Sequence, residues 1–424
     1  MVIESLELQD FRNYENLNIT FDKGTNVFYG GNAQGKTNIL EAVFMGCTSK
    51  SHRAVKDRDI IRFGEDEAHL KLNILKRDIN YRIDIHLKKQ KAKGIAVNGV
   101  SIRKISDLFG IANVIFFSPE DLGIIKNGPS ERRRFLDIEL CQLDRIYTSD
   151  LINYNRVIDQ KNKLLKDPSQ ALKCSFDPAD FLGSFVSEFS GVSLNDSVNS
   201  DINSLSNQNV DNFGINIVNV GSLQGNVGNK SDIDTLLEIY NSQLVTYGTG
   251  IIRRREKFIS DLSGIIKRKH SELTSGGEEL VIKYEKNVTA EDFEESLRKN
   301  AEREKRMGMS LVGPHRDDIS FEVNGIDLRH FGSQGQQRSA ALSLKLSEIE
   351  LAKETTGDDP VLLLDDVLSE LDRSRQTMLL KQVGNIQTMI TCTGIDDLLE
   401  KQFPMDRVYF VEKGKVRNDR SEKL

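Results

Sequence analysis

The run Gly30-Gly31-Asn32-Ala33-Gln34-Gly35-Lys36-Thr37 has the spacing of a phosphate-binding loop. Glycines at such positions let the backbone curl, so that N–H groups and the start of the following helix point at phosphate oxygens. Lys36 then neutralises charge near the β- and γ-phosphates, and Thr37 offers a hydroxyl to Mg2+. A plain glycine-rich turn would not need the flanks found here, the apolar TNVFY before the loop and the helix-like TNILEAVF after it. A phosphate-bound metal also needs an acidic partner, expected at the end of an apolar strand lying beside the loop. Val361-Leu362-Leu363-Leu364-Asp365-Asp366 supplies one. Asp365 is the expected metal partner, and Asp366 is placed to polarise the attacking water, so Lys36 and Asp366 are the catalytic candidates. The same pattern also describes a buried strand that meets an aspartate-capped helix. A third element, Ser333-Gln334-Gly335-Gln336-Gln337-Arg338, leads into SAALSLKLSEIELA. A serine at a helix start with a close glycine leaves N–H groups free to bind a second phosphate surface, although it also serves as an ordinary cap.

Positioning these residues needs a sheet. VIESLEL and LNITF alternate apolar and polar residues, and HLKLNIL, YRIDIHL and KGIAVNGV read as a meander of half-exposed strands, followed by the short buried strand ANVIFF. Gly128 and Pro129 set a helix start, and Leu136, Leu140, Leu143, Tyr147, Leu151, Tyr154 and Ile158 continue it as one long amphipathic stripe. A second stripe runs through Leu236, Tyr240, Leu244, Tyr247, Ile251, Phe258, Leu262 and Ile266. From Ser333 the order is helix, strand PVLLLDD, helix, strand TMITCT and strand RVYFVE, an α/β alternation. The expected architecture is a split α/β head: residues 1–128 with the phosphate loop, an antiparallel helical arm over 129–272, and residues 273–424 with the serine-headed helix and the acidic strand.

Composition narrows the class. The chain has 424 residues, 38% hydrophobic and 29% charged, ordinary for a globular protein with a sizeable core. The longest apolar runs are a few residues, far short of the ~20 needed to span a bilayer. No secretory signal opens the chain, so a cytoplasmic location is expected. Four dispersed cysteines and six histidines without ligand spacing argue against disulfides and structural zinc. The net charge of −6 lies entirely within 174–229, which holds six carboxylates and no Lys or Arg. This Asn- and Ser-rich insertion at the arm's tip is expected to be poorly ordered.

The order of phosphate loop, serine-headed helix, acidic strand and Ser369-Glu370-Leu371-Asp372 turn resembles the ABC ATPase superfamily. LELQDFRNYENLNI, SPEDLGIIKNGPSERRRFLD, GPHRDDI, SQGQQR and LLLDDVLSELDRSRQTML resemble the RecF family among its SMC-like members. The resemblance spans the chain except 174–229. It implies an ABC-type P-loop ATPase head in two lobes with ATP and Mg2+ as cofactors, and an ATP-dependent homodimer in which each signature serine faces the partner's P-loop. It further implies binding to DNA with single-stranded gaps and duplex junctions, and partnership with RecR and RecO mediators in loading recombinase during recombinational repair and fork maintenance. Arg12 and Asn13 stand where the family motif suggests nucleotide contact. Two departures matter. The usual catalytic glutamate is Asp366, and a carboxylate set back by about 1.5 Å positions water poorly, which implies slow hydrolysis. Where related heads carry a lobe-joining glutamine and a switch histidine, this chain offers Ser118 or Glu120 and Thr391 or Thr393.

For DNA the basic candidates are Arg53, Lys56, Arg58 and Arg62, Arg132, Arg133 and Arg134 at the root of the arm, Arg253, Arg254 and Arg255, and Lys267 to Lys269. Each cluster equally suits a solvated helix face. Duplex binding requires several to act together, with strong salt sensitivity. The alternative reading is an ABC-type ATPase subunit of a membrane transporter, against which stand the inserted arm and the long separation of Thr37 from Ser333.

Overall fold

The computed structural model describes residues 1–53, 56–167, 230–383, 386–395 and 405–419; the insertion 174–229 lies outside the described residues. The N-terminal meander forms β1 (Val2–Phe11), β2 (Tyr14–Thr20), β4 (Glu67–Lys76), β5 (Ile79–Lys88), β6 (Lys91–Val97) and β7 (Val100–Ser101), an antiparallel sheet of order β2-β1-β4-β5-β6-β7. Between β2 and β4 the chain crosses to a second sheet through β3 (Thr25–Tyr29) and helix α1 (Lys36–Thr48). That sheet has the order β15-β14-β3-β13-β12-β8, with β8 (Val114–Phe117), β12 (Val361–Asp365), β13 (Thr388–Cys392) and β14 (Arg407–Glu412) parallel, and β15 (Lys415–Asn418) closing it as an antiparallel edge.

The central strands β8, β12 and β13 are buried on both faces because both are covered. Phe28, Phe116, Val361, Leu363 and Met389 join one core with α1 and the inner face of the antiparallel sheet. Val27, Ile115, Phe117, Leu362, Leu364 and Ile390 turn to a second core with Leu342 and Leu346. One residue of register decides which core each side chain enters. The acidic strand does not lie beside the loop strand as expected, because β13 sits between β3 and β12.

After the short α2 (Leu122–Lys126), the expected single arm helix is two: α3 (Pro129–Leu143) and α4 (Arg145–Lys166). Asp144 leaves helical geometry at φ −137° and ψ 109° and caps α4, accepting from the Ile146 and Tyr147 amides. The stripe of leucines continues across the break and so conceals it. Helix α5 (Lys230–Leu273) returns. Leu164 and Leu165 meet Leu237 at one end, while Asp144 and Asp150 bind Arg254 towards the other, which makes α4 and α5 antiparallel. The arm's root shares its core with β9 (Leu280–Glu285), α6 (Phe293–Met307), β10 (Asp318–Val323) and the short α7 (Leu328–Phe331), while the small β11 (Ile326–Asp327) only pairs with β10. That core also takes Ala340, Ala341, Leu344 and Leu351 of α8 (Gln334–Thr356), and α9 (Arg373–Val383) follows the acidic strand.

Candidate nucleotide site

The glycine-rich loop joins β3 to α1 and is braced from three sides. Gly30 and Gly35 have φ of 147° and 114°, which favour glycine, and a Cβ would lie 2.3 Å from the Val411 carbonyl oxygen at Gly30 or 2.5 Å from Asn13 Nδ2 at Gly35. Asn13 Nδ2 donates to the Gln34 carbonyl (3.0 Å), and Tyr14 Oη to that of Gly35 (3.0 Å). The β14–β15 hairpin gives the Lys413 amide to Gln34 Oε1 (2.7 Å) and the Gly414 amide to the Gln34 carbonyl (3.2 Å). Asn13 thus holds the loop from outside, while Arg12 is bound bidentately to buried Glu41 of α1 (2.9 and 2.7 Å).

Lys36 folds over the loop, its Nζ donating to the carbonyls of Gly30 and Gly31 at 2.7 Å each. Burial pulls its pKa down, opposed by the negative groups of Asp366, Cys392 and Asp365. Thr37 Oγ1 donates to Asp365 Oδ1 at 2.7 Å, which closes the distance between the loop and the second-neighbour strand β12. The intervening β13 is used: Thr391 Oγ1 donates to the same Asp365 oxygen (2.8 Å) and accepts the Asp366 amide (3.0 Å). Asp366 itself is left-handed at φ 53°, a conformation aspartate tolerates and one that turns the chain off the strand. Thr391, one of two candidates for a switch position, therefore orients the acidic pair; Thr393 is exposed. Of the lobe-joining candidates, Ser118 is buried and tied to Asp121, whereas Glu120 reaches Arg53 at 3.8 Å. A hydroxyl beside a carboxylate is an all-oxygen donor set that fits Mg2+.

Ser333 heads α8 in a reciprocal capping box, accepting from the Gln336 amide (3.2 Å) while Gln336 Oε1 accepts the Ser333 amide (3.0 Å). Gln336 Nε2 is held by Glu278 (2.9 Å), and Arg375 of α9, ion-paired to Asp372, donates to Ser339 Oγ (2.7 Å). The turn after the acidic strand thereby supports the serine-headed helix. Ser333 and Gln334 are exposed, and neighbouring Phe331 is 77% exposed.

The basic clusters separate by burial. Arg132 is buried and bidentate to Asp318 (2.6 and 2.9 Å). Arg255, 2% exposed, is ringed by Tyr147 Oη, the Pro314 carbonyl, Asp317 and Asp137. Neither is a surface cation, and both leave the DNA set: they pin the arm's root to the Gly313–Ile319 segment. Arg133 donates to the Asp317 carbonyl, Arg254 pairs with Asp144 and Asp150, Arg62 with Asp10 and Glu15, and Lys269 is buried. Lys267 and Arg268 remain exposed but pair with Glu279 and Glu350. Arg53, Lys56, Arg58, Arg134 and Arg253 are exposed, and Arg134 Nη2 reaches the His52 carbonyl (2.6 Å), which brings the arm root beside Arg53.

A family model described as the RecF/RecN/SMC N terminal domain matches residues 2–417. Relatives named DNA replication and repair protein RecF include one from Lachnospira eligens, 48% identical over 419 residues and covering 99% of this chain and 100% of its own. Another, from Lachnoclostridium phytofermentans, is 47% identical over 98% of this chain and 99% of its own. The chain belongs to the RecF family. A solved structure of the recombination mediator protein RecF with ATP superposes with a TM-score of 0.78 at 29% identity, covering 98% of this chain and 97% of that one. The Smc head domain from Pyrococcus furiosus matches at a TM-score of 0.50 and 15% identity, which shows the shared ABC-type head fold. The inserted helices of this RecF-family chain are the arm expected from its sequence.

Proposed function

We propose that this chain is an ATP-dependent DNA-binding protein of recombinational repair and replication-fork maintenance, which closes as a dimer on gapped DNA and hydrolyses ATP slowly. The observation that carries the reading is the contact of Thr37 with Asp365, oriented by Thr391. A phosphate loop and an acidic strand that meet hydroxyl to carboxylate form a metal–nucleotide site rather than a structural turn. Lys36 and the loop amides bind the phosphates, and Thr37 and Asp365 would hold Mg2+, which when bound neutralises charge between the β- and γ-phosphates. Asp366 orients water from a short side chain, which suits a timed clamp. Exposed Ser333 and the neighbouring Phe331 present a surface to the P-loop of a second copy, and two-fold symmetry makes both sites equivalent.

The related RecF solved with ATP belongs to the RecFOR pathway, which supports ATP as the nucleotide and RecO- and RecR-type mediators as partners in recombinase loading. In our reading the head is divided at residues 128 and 273, and DNA follows Arg53, Lys56, Arg58 and Arg134, with Arg253 farther along the arm. The transporter alternative has no support from the matched families, and no helix among the described residues is long and apolar enough to cross a membrane. The test is ATPase rate and particle mass with and without gapped DNA. Dimerisation that requires ATP and Mg2+, with turnover raised by gapped DNA, is expected; turnover and mass indifferent to DNA would overturn the proposal.

A further inference from the structure

On the outer face of the antiparallel sheet, three side chains converge that the nucleotide chemistry does not use. Glu67 and His69 stand two residues apart on the exposed side of β4, and His86 lies directly opposite His69 on β5. The two imidazoles stack with centroids 3.9 Å apart and planes 23° from parallel. Glu67 Oε2 lies 2.6 Å from His86 Nε2, and one ligand atom from each of the three lies within 4.8 Å of the others. Lys88, opposite Glu67, binds the other carboxylate oxygen, Oε1 (2.8 Å), so Oε2 faces the histidines.

We propose that Glu67, His69 and His86 form a zinc site. Two imidazole nitrogens and one carboxylate oxygen are a donor set for a borderline cation such as Zn2+; Mg2+ and Ca2+ prefer oxygen alone. With bonds of 2.0–2.2 Å, tetrahedral ligand atoms stand about 3.4 Å apart, a spacing the present cluster reaches by side-chain rotation. The backbone needs no change, because positions i and i+2 of one strand and the cross-strand neighbour already share a face. Water completes the shell from the broad concavity, about 680 Å3, that both histidines line. Sequence spacing conceals the site, since the ligands come from two strands and only the β4–β5 register unites them.

The test uses the full-length chain without an affinity tag, stripped with a chelator and placed in magnesium buffer without nucleotide. Zinc chloride is titrated against a chromophoric chelator. One equivalent bound more tightly than about 10 μM is expected, weakened roughly 100-fold or more in His69→Ala and in His86→Ala, since even the outer-shell partners of a ligand are worth about 10–100-fold. In the unaltered chain, zinc should also shield His69 and His86 from carbethoxylation, read by peptide mass spectrometry, which keeps the test independent of the variants' folding. Absence of a saturable equivalent at that affinity, retention of tight binding in the His69→Ala/His86→Ala double variant, or equal carbethoxylation with and without zinc would each overturn the site.

Discussion

Thr391→Val isolates the oriented acidic pair. The substitution keeps the shape of the side chain but exchanges a hydroxyl for a methyl at a position 1% exposed, deleting its hydrogen bond to Asp365 Oδ1 and the acceptor of the Asp366 amide. A hydrogen bond to a charged group contributes about 1.5–3 kcal/mol, and leaving a buried donor unpaired costs about 1–3 kcal/mol. Asp366 is only half-buried, so water replaces part of the second loss. The expected destabilisation is about 2–4 kcal/mol. Asp365 keeps the Thr37 hydroxyl, and Lys36 keeps its loop contacts, so ATP affinity should change little. The Asp366 amide loses its acceptor, and single-turnover hydrolysis should fall on the order of 100-fold, the scale of a small misplacement of a reacting group. Thr391→Ser, which keeps the hydroxyl, should restore most of the rate. The assay pairs thermal melting and a fluorescent-nucleotide titration with quenched-flow hydrolysis. If Thr391→Val melts and hydrolyses like the unaltered chain, Thr391 has no orienting role.

Arg255→Met should lower stability by about 3–5 kcal/mol, since it leaves Asp317 and Asp137 without their buried counter-charge, and chemical denaturation should show the loss before DNA binding is measured. Arg134→Ala should instead melt normally and reduce the salt dependence of DNA binding; a large melting shift there would contradict the assignment of the two arginines. Burial depresses the His315 pKa to about 4, so its neutral form stabilises the fold above its unfolded value near 6.5, and that contribution is lost as pH falls from 6.5 towards 4. The drop in unfolding free energy between pH 7 and 5 should shrink by about 2 kcal/mol in His315→Gln, and an unchanged drop would refute the linkage. Lys36→Ala and Ser333→Arg homodimers should both be inactive, while an equal mixture recovers roughly a quarter of the DNA-stimulated ATPase, because half the dimers are mixed and each retains one intact site. Activity in the Ser333→Arg homodimer would exclude a shared site.

The parts of the site legible in the sequence are those whose chemistry is local. The phosphate loop reads from its own spacing and flanks, and β12 reads from four apolar residues that end in aspartates. The brace on the loop was not legible, because Tyr14, Lys413 and Gly414 reach Gln34 and Gly35 only through the strand order. Nor was the place of β13 between loop and acid, since parallel strands carry no sequence mark of their neighbours. The break at Asp144 hid behind a continuous leucine stripe, and an aspartate, though favoured at caps, also sits on exposed helix faces. Arg132 and Arg255 misled for a related reason: basic residues beside exposed ones in sequence point elsewhere on a helix, and their partners Asp317 and Asp318 lie far along the chain.

The measurement that bears most directly on an ATP-gated DNA clamp is retention on gapped DNA as a function of nucleotide, comparing the unaltered chain with Lys36→Ala at one fixed salt concentration. Lys36 is the cation that folds over the loop, and, being buried, it is not one of the exposed basic residues proposed to follow DNA. ATP with Mg2+ should prolong the residence of the unaltered chain on gapped DNA as a dimer, and Lys36→Ala should bind weakly and identically with or without ATP. Residence of the unaltered chain that ignores nucleotide, or a Lys36→Ala chain that still responds to it, would contradict an ATP-gated DNA clamp.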